Sequence, residues 1–358
     1  MPMKEPMSSQ ERVRTAINRQ VPDRVPVQDG PWYATVKRWR REGLPEETNP
    51  GDYFGYDIAT LGADLSPRFP VRRISEDEEF VTETTPMGGI RRNHKDYSTT
   101  PEVIDCPIKK KDDWPPIRER LKPDFKRVDW ASSWQTYQRE RERGRYICFG
   151  AASGYDLLQS YVKSEQLLTF MADDPEFVKE MVDVNSALIL ETVMMMWREG
   201  FHFDAVWVYN DMGYRNASLF SPQMYREIIG PSDKQRNDRF HELGMQTILH
   251  SCGCVKGLIP ALIEAGFDCL QPLEVKAGMD LRELKPLYGR RIAFFGGINT
   301  MLMEDPDDYK IEAEIREKFR VAMPGGGYLY HSDHSIPLDV SFRKYQFVME
   351  CVRKYGQY

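Results

Sequence analysis

The sequence predicts an α/β chain, a (β/α)8 TIM-type barrel with a β-hairpin insertion after the second strand. Three observations carry this. Short apolar runs recur along the 358 residues, and nearly every one is followed by a helical stretch. Those runs lack clean polar–apolar alternation, as parallel strands buried on both faces should. Glycines at 244, 266 and 289 close helices, where a left-handed cap is expected. A doubly wound sheet would want a glycine-rich turn opening a helix. "PGGGYLY" (324–330) precedes a strand instead and reads as a loop. The length suits one barrel domain over 1–358, with the insertion at about 66–125.

The elements follow in order. A strand is expected over 23–28, then a helix over 32–43 and a second strand over 57–63. "FVTETTPMGGIRRNH" (80–94) has β-rich arms around a Met-Gly-Gly turn and reads as a hairpin. Amphipathic helices are expected over 110–121 and 130–144. The rhythm then becomes regular. Strands over 145–151, 204–211, 245–251, 267–273, 291–297 and 327–333 alternate with helical stretches. The longest of these runs from about 155 to 200, and the last closes the chain after 341.

Composition narrows the function classes. Hydrophobic residues make up 41%, ample for a core. The net charge of -6 comes from 49 basic and 55 acidic residues, interspersed, which disfavours nucleic acid as a partner. The opening stretch has no apolar run of a secretory signal. "ALILETVMMMW" (187–197) carries Glu191 and is too short to span a bilayer. Six cysteines in a chain this long do not make a secreted disulfide framework, so reduced thiols and a cytoplasmic location are expected.

In such a barrel, chemistry gathers at the C-terminal ends of the strands. Those ends carry Gln28 and Asp29, Asp64, Tyr161 a little beyond the third, Asn210 and Asp211, His250 and Cys252, Gln271 and Glu274, Asn299, and His331, Asp333 and His334. Three of the six histidines therefore lie at two strand ends. His94, His202 and His241 read as surface or packing residues. In "TILHSCGCVKG" (247–257), the i, i+2 spacing puts His250 and Cys252 on one side of an extended segment. With His334, and with Glu274 or water as the fourth, they offer the N and S donors that zinc prefers. Taken alone, His-x-Cys reads sooner as a hydrogen-bonded imidazole beside a small buried thiol; His334 at a second strand end brings the metal reading level with it. Cys254, Cys106, Cys148, Cys269 and Cys351 read as structural. Asp211 and Asp64 are candidate acids or bases, with helix capping or a turn as the alternative. Gln28, Asp29, Asn210 and Gln271 are candidate substrate contacts.

Four stretches together resemble the uroporphyrinogen decarboxylase superfamily, including its cobamide-dependent methyltransferases. They are "SSQERVRTAINRQVPDRVPV", "NDMGYRNASLFSPQMYREIIGP", "HSCGCVKGLIPALIEAGFDCLQPLEVKAGMDLRELKPLYGRRIAFFGGIN" and "HSDHSIPLDVSF". The resemblance implies a (β/α)8 barrel, often dimeric. Asp64 matches the family's catalytic aspartate and Tyr161 its active-site tyrosine, while Asp211 stands where the decarboxylase has serine. The decarboxylase's arginine-rich loop after strand one is replaced by "VQDGPWYATVKRW", so eight carboxylates would meet Asp29 instead of a guanidinium. His250 and Cys252 match the methyltransferases' zinc pair, and His334 stands where that branch has a cysteine. The resemblance thus implies a zinc-dependent methyltransferase. It would move a methyl group between a small methylated substrate or thiol and a corrinoid on a partner protein. A metal-independent decarboxylase or lyase using Asp64, Tyr161 and Asp211 is the alternative. A barrel that binds a tetrapyrrole or corrinoid without turnover is the third, disfavoured by the ionisable strand ends.

Overall fold

The computed structural model describes residues 6–96 and 100–358. Residues 1–5 of the opening stretch lie outside it. Eleven strands occur among the described residues: β1 (Ile58–Leu61), β2 (Arg73–Glu76), β3 (Phe80–Thr84), β4 (Ile90–His94), β5 (Glu102–Asp105), β6 (Tyr146–Ala152), β7 (Ala205–Tyr209), β8 (Gln246–His250), β9 (Cys269–Gln271), β10 (Ala293–Phe295) and β11 (Tyr328–Leu329). Seven form one sheet in the order β1-β6-β7-β8-β9-β10-β11, every neighbouring pair parallel. Helices join its strands, as parallel connections require. The insertion after β1 is a four-stranded antiparallel sheet, β2-β3-β4-β5. The expected hairpin is its β3–β4 pair, with Phe80 opposite His94 and Thr84 opposite Ile90.

Several elements differ from expectation for identifiable reasons. The 23–28 segment builds no strand. Pro26 has no N–H to give a ladder, and what remains is a parallel bridge from Val27 to Tyr330. Val27 still accepts from Asp57 N–H at 2.7 Å, so the segment touches both the first and the last strand of the sheet. The helix expected over 110–121 is two short turns, Lys111–Asp113 and Pro115–Arg118, broken by the paired prolines. The long helical run divides into Gly154–Leu158, Ser164–Asp173 and Pro175–Arg198. Asp174 caps the last of these by accepting from Phe177 N–H, with Pro175 in its first turn. In the helix after β7, the hydrogen-bond ladder widens to a π turn over Tyr225–Ile229, just before Pro231. Gly244 and Gly266 are left-handed, whereas Gly289 keeps a helical φ of -61°. A helix not singled out from the sequence, Ser9–Ile17, starts with a capping box between Ser8 and Glu11.

The sheet separates two apolar compartments. Ile58, Tyr146, Cys148, Ala205, Trp207, Ile248, Cys269, Ala293, Phe295 and Leu329 pack on its inner side with Val13, Ala16 and Ile17 of the first helix. Their alternates, such as Ile147, Phe149, Val206, Val208, Leu249 and Leu270, pack outward under the helices. Period-2 selection therefore operates, but between two apolar layers, so it leaves no polar alternation in the sequence.

Three aspartates sit one residue before a strand or start its pairing. Asp57, Asp204 and Asp268 each donate a backbone N–H to the preceding segment, at Val27, Ile147 and Thr247. Each also accepts the N–H of that same residue on its carboxylate, at 2.7, 2.8 and 2.8 Å. All three lie in an aromatic-Asp-apolar context: Tyr56-Asp57-Ile58, Phe203-Asp204-Ala205 and Phe267-Asp268-Cys269.

Candidate active site at the strand ends

Following the inner layer to the C-terminal ends of the strands gives Thr60, Tyr209, His250, Gln271 and His331. All five line a cavity of about 360 Å³, with Gln28, Asp29, Trp32, Trp207, Cys252 and His334 among the remaining residues. A larger cavity of about 680 Å³ shares Gln28, Asp29 and Thr60 but holds none of the histidines or cysteines.

A chain of hydrogen bonds fixes the imidazoles. Ser332 O can only accept, so His331 Nδ1 donates to it at 2.6 Å. That leaves His331 Nε2 to accept from the Gln271 amide at 3.4 Å. The amide orientation then presents Gln271 Oε1 to His250, whose Nδ1 donates to it in a close contact. His250 Nε2 is left facing Cys252 Sγ at 3.3 Å and Asp211 Oδ1 at 3.4 Å. A main-chain carbonyl thus dictates, through two side chains, which nitrogen of His250 meets the site. Burial lowers the His331 pKa against the pull of Asp29, which keeps this ring neutral as the chain of bonds needs.

Ligand atoms of Asp211, His250 and Cys252 all lie within 4.8 Å of one another. The backbone brings them together. Gly213 N–H donates to Cys252 O at 3.2 Å, and Cys254 N–H to Tyr214 O at 2.7 Å. A Cβ on Gly253 would meet Gly213 backbone at 2.4 Å, and its φ is +73°, so the crossing of these loops requires glycine. Cys252 N–H then donates to Asp211 Oδ1 at 2.7 Å. Burial opposes charge on Asp211, but the bonds from His250 and Cys252 prevail and hold its carboxyl below the ordinary range. Burial likewise opposes protonation of His250, and Asp211 and Cys252 overcome it, raising the imidazole well above its usual value. Burial pushes the Cys252 thiol up, partly offset by His250.

The other expected residues are placed as follows. Glu274 is buried and accepts Gly253 N–H at 2.6 Å, with Lys276 at 3.1 Å. It and Asp211 border a third cavity, of about 550 Å³, which also reaches Cys252, with Tyr214 and Arg215. His334 lines the first cavity, its ring stacked on Trp32 at 6.4 Å. Asp29 is buried, accepting from Tyr330 and Tyr345 hydroxyls at 3.1 and 3.0 Å and from Ser332. Gln28 Oε1 is buried without a partner. Asn210 is buried and accepts Asp156 N–H at 3.2 Å. Asp64 and Tyr161 are not brought to the cavity. The Asp64 carboxylate takes Ser66 at 2.6 Å and Arg68 at 3.0 Å, and the buried Tyr161 hydroxyl donates to Asn185 at 3.2 Å. Sequence reading passed over Trp32, Thr60, Trp207 and Tyr209. The i, i+2 pair Trp207 and Tyr209 in "AVWVYND" carried the signal.

A family model described as Uroporphyrinogen decarboxylase (URO-D) matches residues 95–355. The chain belongs to the uroporphyrinogen decarboxylase family. Among solved structures, a methyltransferase from Methanosarcina mazei is similar with a TM-score of 0.69 and 16% identity, over 98% of this chain and 99% of that one. At that identity the likeness is one of fold. A B12-independent methionine synthase from Shewanella sp. W3-18-1, in complex with selenomethionine, gives a TM-score of 0.46 at 10% identity, covering 85% and 84%. No curated protein matches the chain. No helix among the described residues of this family member is long and apolar enough to cross a membrane.

Proposed function

We propose that this member of the uroporphyrinogen decarboxylase family is a zinc-dependent methyltransferase. It would move a methyl group between a small methylated substrate or thiol and a corrinoid brought by a partner protein, in the cytoplasm. The observation that carries this is the convergence of Asp211, His250 and Cys252 within 4.8 Å. One carboxylate oxygen, one imidazole nitrogen and one thiol sulfur fit zinc, with a position left for substrate. Bound there, zinc would supply Lewis acidity that makes a substrate thiol anionic or draws charge from the heteroatom of a methyl donor. Gln271 and His331 orient His250 Nε2 toward that point. Glu274 and His334 flank it on two sides. Because Cys252 borders both the inner and the outer cavity, with His250 on the inner side and Asp211 on the outer, donor and acceptor would have separate approaches. The contacts of Val27 to Tyr330 and Asp57 support a closed eight-fold barrel as the scaffold.

The inner cavity favours this over a carboxy-lyase. No lysine or arginine lines it among the described residues, so a substrate carboxylate would meet Asp29 with only imidazoles, and no guanidinium fork, to set against it. The test is the metal content of protein purified without added metal or chelator, with Cys252→Ala beside it. About one zinc per chain, lost in the variant, is the expected result. No metal in either, even after zinc is supplied, would overturn the methyltransferase reading.

A further inference from the structure

The end of the sheet opposite the histidines carries a cavity of its own. It has about 560 Å³ and lies where three helices finish: Ser9–Ile17, Leu281–Tyr288 and Asp308–Ala322. Arg19, Lys285, Gly289, Arg290, Pro324 and Gly325 form most of its wall. All three charged groups are cations, and no carboxylate lines the cavity among the described residues. The chain as a whole carries a net charge of -6, so its overall balance does not account for this.

The other arginine cluster beside a cavity is neutralised. Arg139, Arg143 and Arg145 line the 680 Å³ cavity, where Glu140 and Asp52 take them at 2.5 to 3.0 Å. Helix C-termini attract cations through their free carbonyls, but here they occupy few donors. Arg19 Nη1 donates to Ile17 O at 3.4 Å, and Lys285 Nζ donates to Gly326 O. Arg290 has no partner among the described residues. Burial pushes the Lys285 ammonium down to about 8, and no carboxylate offsets it.

The backbone holds these groups together. Arg19 has a φ of +58°, two residues past the helix end, where a left-handed glycine is the usual choice. Gly325, Gly326 and Gly327 are left-handed in succession. A Cβ on Gly327 would meet Arg19 Cγ and Lys285 Nζ, both at 3.3 Å, so the two side chains converge over bare backbone.

We infer that this pocket binds the diphosphate group of a small phosphorylated ligand. Arginine forks meet phosphate oxygens in pairs, and lysine adds a point charge. Three cations exceed the charge of one phosphate group, about -1.5 to -2 near neutral pH, and suit two linked ones. The site stands apart from the methyl-transfer reading.

The experiment is calorimetric titration of the full chain with pyrophosphate, ADP, orthophosphate and citrate at neutral pH and low salt. Pyrophosphate and ADP both carry the group, and the tighter of the two tells whether its source is inorganic or a nucleotide. At least one should bind about tenfold tighter than orthophosphate and citrate. Arg19→Gly removes the guanidinium and relieves the left-handed backbone. Affinity should then fall about tenfold, with the melting point unchanged or raised. Arg290→Gln, at an exposed position, should weaken binding without loss of stability. Pyrophosphate also ligates metals, so Cys252→Ala is titrated alongside and should bind equally well. No binding of either diphosphate at millimolar concentration, citrate binding as tightly, unchanged affinity in both arginine variants, or binding lost in Cys252→Ala would each overturn the assignment.

Discussion

Asp57→Asn tests how the 23–28 segment is held. The Asp57 carboxylate is fully buried. It accepts from Ser9 Oγ at 2.5 Å, Arg12 Nη1 at 2.9 Å, Arg24 Nη1 and Nη2 at 2.8 and 2.9 Å, and Val27 N–H at 2.7 Å. Asparagine removes the charge and turns an N–H₂ toward donors. Breaking one side of a buried ion pair costs about 3–5 kcal/mol. Two features bring the figure toward the lower end. Arg12 keeps Asp23, at 2.6 and 2.7 Å, and Arg24 is 29% exposed on its side chain and can reach water. The expected loss is therefore about 3 kcal/mol in urea unfolding, with faster hydrogen exchange at the Val27 amide. A loss under about 1 kcal/mol, the range of an exposed pair, would refute the reasoning.

Three further outcomes are expected. Arg236, 1% exposed, bonds Asp233 at 2.8 Å and the Ser153 hydroxyl at 2.8 Å, so Arg236→Met should cost about 3–5 kcal/mol in urea, and adding Asp233→Leu should recover most of it. Burial, and then Asp211, push the Asp156 carboxyl up to about 7. The folded state thus binds the extra proton, and stability falls as pH rises from about 4 to 7. In metal-free protein, Asp156→Asn should be near neutral at pH about 4 and stabilising by at most about 4 kcal/mol at pH about 8. Gly253→Ala should displace the loops around Asp211 and Cys252, lowering the melting point and, with zinc at the proposed site, abolishing its binding, read by thermal unfolding and metal analysis.

Much of this arrangement was legible in the sequence. The strand order and the helix after each strand could be read from apolar runs and turn residues, and His250, Cys252 and Asp211 from their places at strand ends. The hairpin was visible in its Met-Gly-Gly turn, although the two strands flanking it were not. Asp64 sits at a strand end by counting, yet its position depends on where the insertion begins, and there Ser66 and Arg68 take its carboxylate. Tyr161 came from the family resemblance and Asn210 from its place at a strand end, whereas inward parity selects Tyr209 over its neighbour. The parity was hidden because both faces are apolar. The helix Ser9–Ile17 was signalled by Ser8 and Glu11 alone. Proline explains the segment at 23–28, since no run of apolar residues restores an N–H that Pro26 lacks.

The three aspartates at the opposite end of the sheet bear on the chemistry although none is near it. Each ties a strand to its neighbour by two bonds to one residue, which fixes how far the strand can slide. A slip of a single residue would exchange the two faces of a strand. Val208, Leu249, Leu270 and Tyr330 would then turn toward the cavity, and Tyr209, His250, Gln271 and His331 would leave it. Asp268 therefore keeps His250 in phase with Gln271, and Asp204 holds Tyr209 in phase with β6, from five or fewer residues away along their strands. A substitution there would surface as a fault in the active site before it surfaced as a loss of fold.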